Sequence, residues 1–152
     1  MQLTPTTQDD LPLLAGFITE AAEWAPTSYG HLPSELILGQ QETLWLKVLE
    51  GGQVIGACGF VGISWIDGST ELCLGVIPAL RGKGYAKRVA REMNTYAHEN
   101  LGLRRLVVRC TVDSPSVKIA QALGFKVEGV HKGARLRRGQ RIDAVTLGLV
   151  KE

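Results

Sequence analysis

Cysteine is scarce. Cys58, Cys73 and Cys110 are the only three in 152 residues, and no two form a Cys-x-x-Cys pair. An odd count without that spacing argues against a disulfide framework and against a zinc site, so no metal is expected. Each lies in an apolar, strand-like run, so buried reduced thiols and a cytoplasmic setting are expected. An excess of one charge is missing too. Seventeen Lys and Arg stand against fifteen Asp and Glu, a net of +2. That is too mild for a bulk nucleic-acid or membrane binder. No apolar stretch approaches a membrane span, and the N-terminus shows no basic leader with an apolar core. Two phosphate motifs are absent. There is no Gly-x-x-x-x-Gly-Lys-Ser/Thr run, and no Gly-x-Gly-x-x-Gly followed by a ribose-binding acid. Repeats, linkers and low-complexity tracts are missing as well.

What remains is a globular composition, 45% hydrophobic and 21% charged, long enough for one cored domain over 1–152. Met1 to Thr4 reads as a short strand. Thr6 or Thr7 caps a helix from about Gln8, with Leu11, Leu14, Ala15, Ile18 and Ala22 as its buried stripe. Ser34 caps a second, short helix to about Gln40. Thr43 to Glu50 alternates, with Leu44, Leu46 and Val48 on one face and Trp45, Lys47 and Leu49 on the other. Gly51-Gly52 turns the chain into a long arm, Gln53 to Ile66, where Gly56, Gly59 and Gly62 suggest bulges. Asp67-Gly68 turns it again into a strand that ends at Pro78. Lys87 to Glu99 lacks Gly and Pro and repeats apolar residues at 86, 89, 90, 93, 96 and 97, a helical stripe. Arg105 to Thr111 is a buried strand. Pro115 to Leu123 is a helix capped by Asp113 or Ser114 and closed by Gly124. A final hairpin turns around Arg138-Gly139-Gln140. The order is α+β around one mixed, mostly antiparallel sheet of about seven strands with four helices.

The hexapeptide Arg81-Gly82-Lys83-Gly84-Tyr85-Ala86 stands between a strand and a helix. N–H groups in a helix's first turn lack intrahelical partners, and the helix dipole adds positive potential. Two glycines there admit a phosphate close to the backbone.

Arg81-x-x-Gly84-x-Ala86 resembles the Arg/Gln-x-x-Gly-x-Gly/Ala signature of the GNAT superfamily of acetyl-CoA-dependent N-acetyltransferases. Glu71 to Pro78 and then Arg81 to Ala86 are similar to that superfamily's fourth strand, pyrophosphate loop and third helix. Leu101 to Leu106 resembles the lead into its fifth strand. Ser116 to Gly129, with Leu123-Gly124-Phe125 and Glu128-Gly129, is similar to a segment typical of the RimJ/RimL-type ribosomal-protein N-terminal acetyltransferases. The likeness runs in register over about residues 69 to 150; the N-terminal half matches in its order of elements.

The resemblance implies acetyl-CoA as cofactor and direct attack of a primary amine on its thioester. It implies fourth and fifth strands that splay apart, with a bulge permitted at Gly75. Backbone groups near Leu74, Val76 and Ile77 would pair with the pantetheine arm, and a backbone N–H near Val76 would serve the oxyanion. Arg81, Gly82, Lys83, Gly84, Tyr85 and Ala86 would hold the diphosphate. Glu71 is the general-base candidate, with a solvated strand-start glutamate as its plain alternative. Ser116 is the candidate contact to the cofactor's sulfur, with a helix-start serine as its alternative. Asp113 stands where many members carry Asn, and Ala120 where many carry a Tyr acid. Trp24, Tyr29 and His31 fall in the loop that the superfamily uses to shape the acceptor site. The run His131 to Arg141 holds five Lys and Arg and reads as a solvated, edge-protected hairpin or as a docking face for an acidic peptide or RNA. Asp143 reads as structural. The acceptor is a small-molecule or peptide amine, such as a protein N-terminus or an amino-acid-like metabolite. Rival readings are an antibiotic-detoxifying acetyltransferase and a non-catalytic acyl-CoA or nucleic-acid module on the same fold. A homodimer stays open.

Overall fold

The structure, a computed structural model, describes residues 1–10, 12–13 and 43–152. The two helices expected between Gln8 and Gln40 fall mostly outside these residues; Gln8–Asp10 forms a 3-10 turn. Trp24, Tyr29 and His31 lie outside them too.

Seven strands form one sheet: β1 (Gln2–Pro5), β2 (Leu44–Glu50), β3 (Gln53–Ser64), β4 (Ser69–Val76), β5 (Arg105–Thr111), β6 (Lys126–Arg137) and β7 (Gln140–Val150). Their spatial order is β1-β2-β3-β4-β5-β7-β6. All neighbours are antiparallel except β4 and β5. The parallel pair requires a crossover, which α1 (Tyr85–Glu99) supplies. The second described helix, α2 (Pro115–Ala122), starts at Ser114, whose side chain accepts from the Ser116 N–H at 3.2 Å. Gly124 takes φ 97° just past its end, as a C′ glycine does. No helix among the described residues is long and apolar enough to cross a membrane.

The alternation of β2 decides its faces. Leu46 and Val48 are fully buried in the main core, with Leu44 packed beside them. That core lies between the sheet and α1, whose Val89, Ala90, Met93 and Ala97 are buried, as the stripe predicts. Phe60 of β3 stacks on Tyr96 of α1, centroids 5.8 Å apart. On the opposite face Trp45, Ala57, Val61 and Cys73 form a smaller cluster. Gly59 is needed there for space, not for a bulge: a Cβ would run into the Trp45 ring. Irregularities do occur beside Gly56 and at Gly62, which has φ 60°.

Gly75 departs from expectation. The β3–β4 register runs unbroken from Gly56↔Val76 to Val61↔Glu71, so β4 carries no bulge there. The splay of β4 from β5 arises on the other side of the strand.

Candidate active site

β4 and β5 pair at three positions only, Ser69↔Arg105, Thr70↔Leu106 and Glu71↔Val107. Beyond Glu71, β4 runs on to Val76 and β5 to Thr111 without a ladder between them. A narrow cavity of about 80 Å³ occupies the gap. Leu72, Cys73 and Leu74 line one side, and Val108, Arg109 and Cys110 the other. Ala86 and Ala90 of α1, Ser116 and Ala120 of α2, and Phe125 complete it.

The backbone of β4 faces this gap in a definite sense. The Ile77 N–H donates to Ile55 O at 2.9 Å, toward β3. Alternation along a strand then turns the N–H groups of Val76 and Leu74 toward β5, into the gap. The Val76 carbonyl, which also points that way, accepts from Arg81 Nε at 3.1 Å. Arg81 thereby satisfies a carbonyl that lost its strand partner, as buried backbone groups require.

After β4 the chain makes a 3-10 turn, Pro78–Leu80, and enters the glycine turn. Gly82 has φ 72° and Gly84 φ 84°; Gly84 is the N-cap of α1, and no side chain caps it. A Cβ at either glycine would meet nothing among the described residues within 4 Å. The first intrahelical bond there runs from Arg88 N to Gly84 O at 3.2 Å, so the N–H groups of Tyr85, Ala86 and Lys87 precede it. Lys83 and Lys87 are exposed beside the turn. Arg88 is engaged elsewhere, with Glu50 at 3.3 Å and over the Tyr85 ring at 5.3 Å. An unplugged anion turn that leads from an unpaired strand segment fits a phosphorylated, extended carrier.

Glu71 is half-buried at the last paired position, where the gap begins. Its side chain shares a face with Cys73, the face away from α1, whereas Ser116 is half-buried on the helix side. The gap thus divides a helix-facing half from an opposite half, and Glu71 stands at its closed end. The thiols are buried and free. Burial, with Glu71 beside it, pushes Cys73 up to about 12, and burial pushes Cys110 up to about 11. Cys58 is raised by burial as well.

Asp113 follows β5, and its carboxylate is clasped by Arg137 of β6, with Nη1 to Oδ2 at 2.9 Å and Nη2 to Oδ1 at 3.1 Å. The Arg137 guanidinium, with Thr111 behind it, holds the Asp113 carboxyl down at about 2. The aspartate that departs from the family's asparagine therefore has its own counter-charge. Asp143 ties down the β6 irregularity, accepting from Gly133 N at 2.8 Å and Lys132 Nζ at 3.0 Å. Its carboxyl is lowered, first by the Gly133 N–H and then by Lys132. Arg141 Nη1 donates to Gly133 O at 3.3 Å. Much of the basic hairpin's charge is thus spent on internal contacts.

One residue escaped the reading of motifs. Arg109 sits amid the apolar run of β5, yet it is exposed on the face it shares with Glu71. The available signal was a charged residue at the outward phase of a buried strand.

A mixed sheet with one parted parallel pair, and a glycine turn where the crossover helix starts, is the architecture of acetyltransferase (GNAT) domains. Residues 1–126 match the family model of acetyltransferase (GNAT) domains, and the chain belongs to that family. It is 29% identical over 114 residues to an uncharacterized N-acetyltransferase, p20, of Bacillus licheniformis, a match covering 74% of this chain and 64% of the relative. It is 32% identical over 72 residues to the L-amino acid N-acetyltransferase AaaT of Escherichia coli K12, covering 47% of this chain and 44% of the relative. Less than two thirds of either curated relative is spanned. Among solved structures, the spermidine N-acetyltransferase of Vibrio cholerae in complex with CoA and spermine superposes with a TM-score of 0.83 at 19% identity, covering 98% of this chain and 94% of that chain. At that identity the likeness concerns the fold. The relatives named here do not narrow the family to the RimJ/RimL-type branch.

Proposed function

We propose that this chain transfers an acetyl group from acetyl-CoA to a primary amine by direct attack, with both substrates bound across the β4–β5 gap. The observation that carries this is the end of pairing at Glu71↔Val107, with the N–H groups of Leu74 and Val76 turned into the gap and the glycine turn open beyond it. Coenzyme A, when bound, supplies an activated acetyl thioester. The amides of residues 82 to 86 hold its diphosphate, helped by the charge of Lys83. The edge of β4 that faces the gap, through the backbone groups of Leu74 and the stretch leading to Ile77, pairs with its arm as an added strand would.

Glu71 takes the proton from the attacking amine, directly or through water. An amine is mostly protonated near neutrality, so a base is needed before it can attack. The Val76 N–H donates to the carbonyl oxygen as negative charge builds on it; one such donor is commonly worth about 100- to 1,000-fold in rate. Ser116, on the helix side, donates toward the sulfur. Asp113, held by Arg137, acts from the edge of the cofactor site without adding net charge. Thiols held protonated by burial support direct transfer over an acyl-cysteine route, and they support a reducing, cytoplasmic setting.

Acceptors under this reading are amino-acid-like small molecules or protein N-termini, the latter in line with the RimJ/RimL-type likeness of Ser116 to Gly129. Trp24, Tyr29 and His31 belong to the proposed acceptor side on family likeness alone. Internal pairing of Lys132 and Arg137 supports a structural hairpin over a nucleic-acid face.

The test has two arms. Calorimetric titration with acetyl-CoA should give one site per chain. Thiol release over a panel of primary amines should then identify a turnover substrate. No binding of acetyl-CoA would remove the whole reading; binding without thiol release for any amine would leave a carrier-binding module.

A further inference from the structure

A second concavity, about 500 Å³, lies across β5, β7 and β6 on the face away from α1. It shares one residue with the gap cavity: Arg109 lines both. The charges around it are mostly spoken for. Glu128 is bidentate to Arg105, at 2.9 and 2.6 Å, and lies over Gly148, where a Cβ would collide with it. His131 Nε2 is 2.9 Å from Thr146 Oγ1. Arg109 forms no ion pair or hydrogen bond with the other described residues.

Strand geometry relates Arg109 to the proposed base. Val107 is paired with Glu71, and Arg109 is two residues further along β5 on the same face. At strand rises near 3.3 Å and paired-strand spacing near 4.8 Å, the Cα atoms of Glu71 and Arg109 would be about 8 Å apart, and the parting of β5 from β4 beyond Val107 widens this. Two long side chains on one face, one anionic and one cationic, then stand at a separation that suits a small zwitterion. An amine belongs at Glu71, where a proton must leave. A carboxylate belongs at the guanidinium, which matches it with paired N–H donors.

We infer that Arg109 anchors the carboxylate of the acceptor, and that the acceptor is a free α-amino acid. The inference rests on the acetyl-transfer reading above and narrows it. A polyamine would bring a second cation against Arg109 instead, so polyamines are disfavoured. The remaining groove over Gly129, Ala134, Ala144 and Thr146 receives the amino acid's side chain.

The experiment is calorimetric titration of the CoA-saturated protein with the twenty common L-amino acids and with spermidine. The tightest amino acid is then compared with its α-amide and its decarboxylated amine, on wild type, Arg109→Ala and Arg109→Lys. Wild type should bind the acid about 10- to 100-fold more tightly than either analogue, the loss expected for a charge-assisted anchor. Arg109→Ala should weaken the acid by that factor and leave both analogues unchanged. Arg109→Lys should recover part of the loss. Tighter binding of spermidine than of any amino acid, or an equal loss for acid and analogues, would each overturn the inference. If amino acids bind as described but release no thiol, the acetyl-transfer reading fails and the carboxylate anchor stands.

Discussion

β4 and β5 are neighbours along their length and partners along less than half of it. At the paired end the face toward α1 is closed. Leu106 is fully buried, Thr70 is buried with its hydroxyl donating to Val61 O at 3.0 Å, and Arg104 and Arg105 both donate N–H to Gly68 O. At the open end Leu74 and Val108 are only partly buried, and Arg81 takes the Val76 carbonyl. The contrast shows how a sheet can hold a site in its middle. Rigid pairing at one end aims a strand edge that the other end leaves unpaired. An unpaired edge is ordinarily a liability; inside this molecule it is sheltered by α1 and α2 and, under the proposed function, receives the carrier's arm.

If the two ends differ as described, substitutions should separate chemistry, stability and carrier binding. The largest effect is expected at their junction. Glu71→Gln should lower kcat by about 100- to 10,000-fold, the range for loss of a positioned base. Acetyl-CoA affinity should hold, because the carboxylate is on the far face from Ser116. Steady-state kinetics against pH, together with calorimetry, checks both. An unchanged pH–rate profile would remove Glu71 from the chemistry.

Next come the two ends themselves. Leu106→Ala, at the paired end, should cost about 2–5 kcal/mol in a urea titration, as buried leucines do. Val108→Ala, two residues on and lining the gap, should cost on the order of 1 kcal/mol while still weakening acetyl-CoA binding. Equal losses would mean that the open end is as tightly packed as the closed one.

The parts of this arrangement that were legible in the sequence are those governed by local rules. The Leu44-Leu46-Val48 alternation, the stripe of α1, the Ser114 cap and the glycine turns each depend on neighbours a few residues away, and each is found where expected. The glycines of β3 and β4 were harder. A glycine in a strand marks either a bend or a close approach, and only tertiary packing decides; Gly59 makes room for Trp45, and Gly75 makes no bulge. For the site, the family motif located the turn and the strand. Arg109 and the Arg137–Asp113 clasp depend on β5 meeting β6 through β7, contacts between residues more than twenty apart, which no spacing records.

A smaller effect tests the glycine turn against another glycine turn. Gly84 and Gly51 both have positive φ, 84° and 58°, and an added Cβ would meet nothing among the described residues at either. Alanine at each should cost about 1–2 kcal/mol from backbone conformation alone. Only Gly84→Ala should weaken acetyl-CoA binding, by about tenfold, since it shifts the start of α1. A similar loss of affinity in Gly51→Ala would point to general loosening and not to a phosphate cradle.

The smallest expected effect lies at the far edge of the open end, where Arg137 clasps Asp113. The folded carboxyl titrates near 2, below its ordinary value of about 3.9. A depressed folded value stabilises the native state above the unfolded value, and the contribution disappears as pH falls from about 4 toward 2. The Asp113 side chain is 56% exposed, so solvent screening holds the pair to about 0–1 kcal/mol. Asp113→Asn should therefore melt slightly lower than wild type at pH 7, less so in high salt, and no lower at pH 2. Its affinity for acetyl-CoA should rise by no more than about twofold, because the substitution leaves the Arg137 charge uncompensated but solvent-screened at this exposed edge. A gain of tenfold would show that the diphosphate feels the charge of this pair, and the clasp would then tune the carrier site as well as stability.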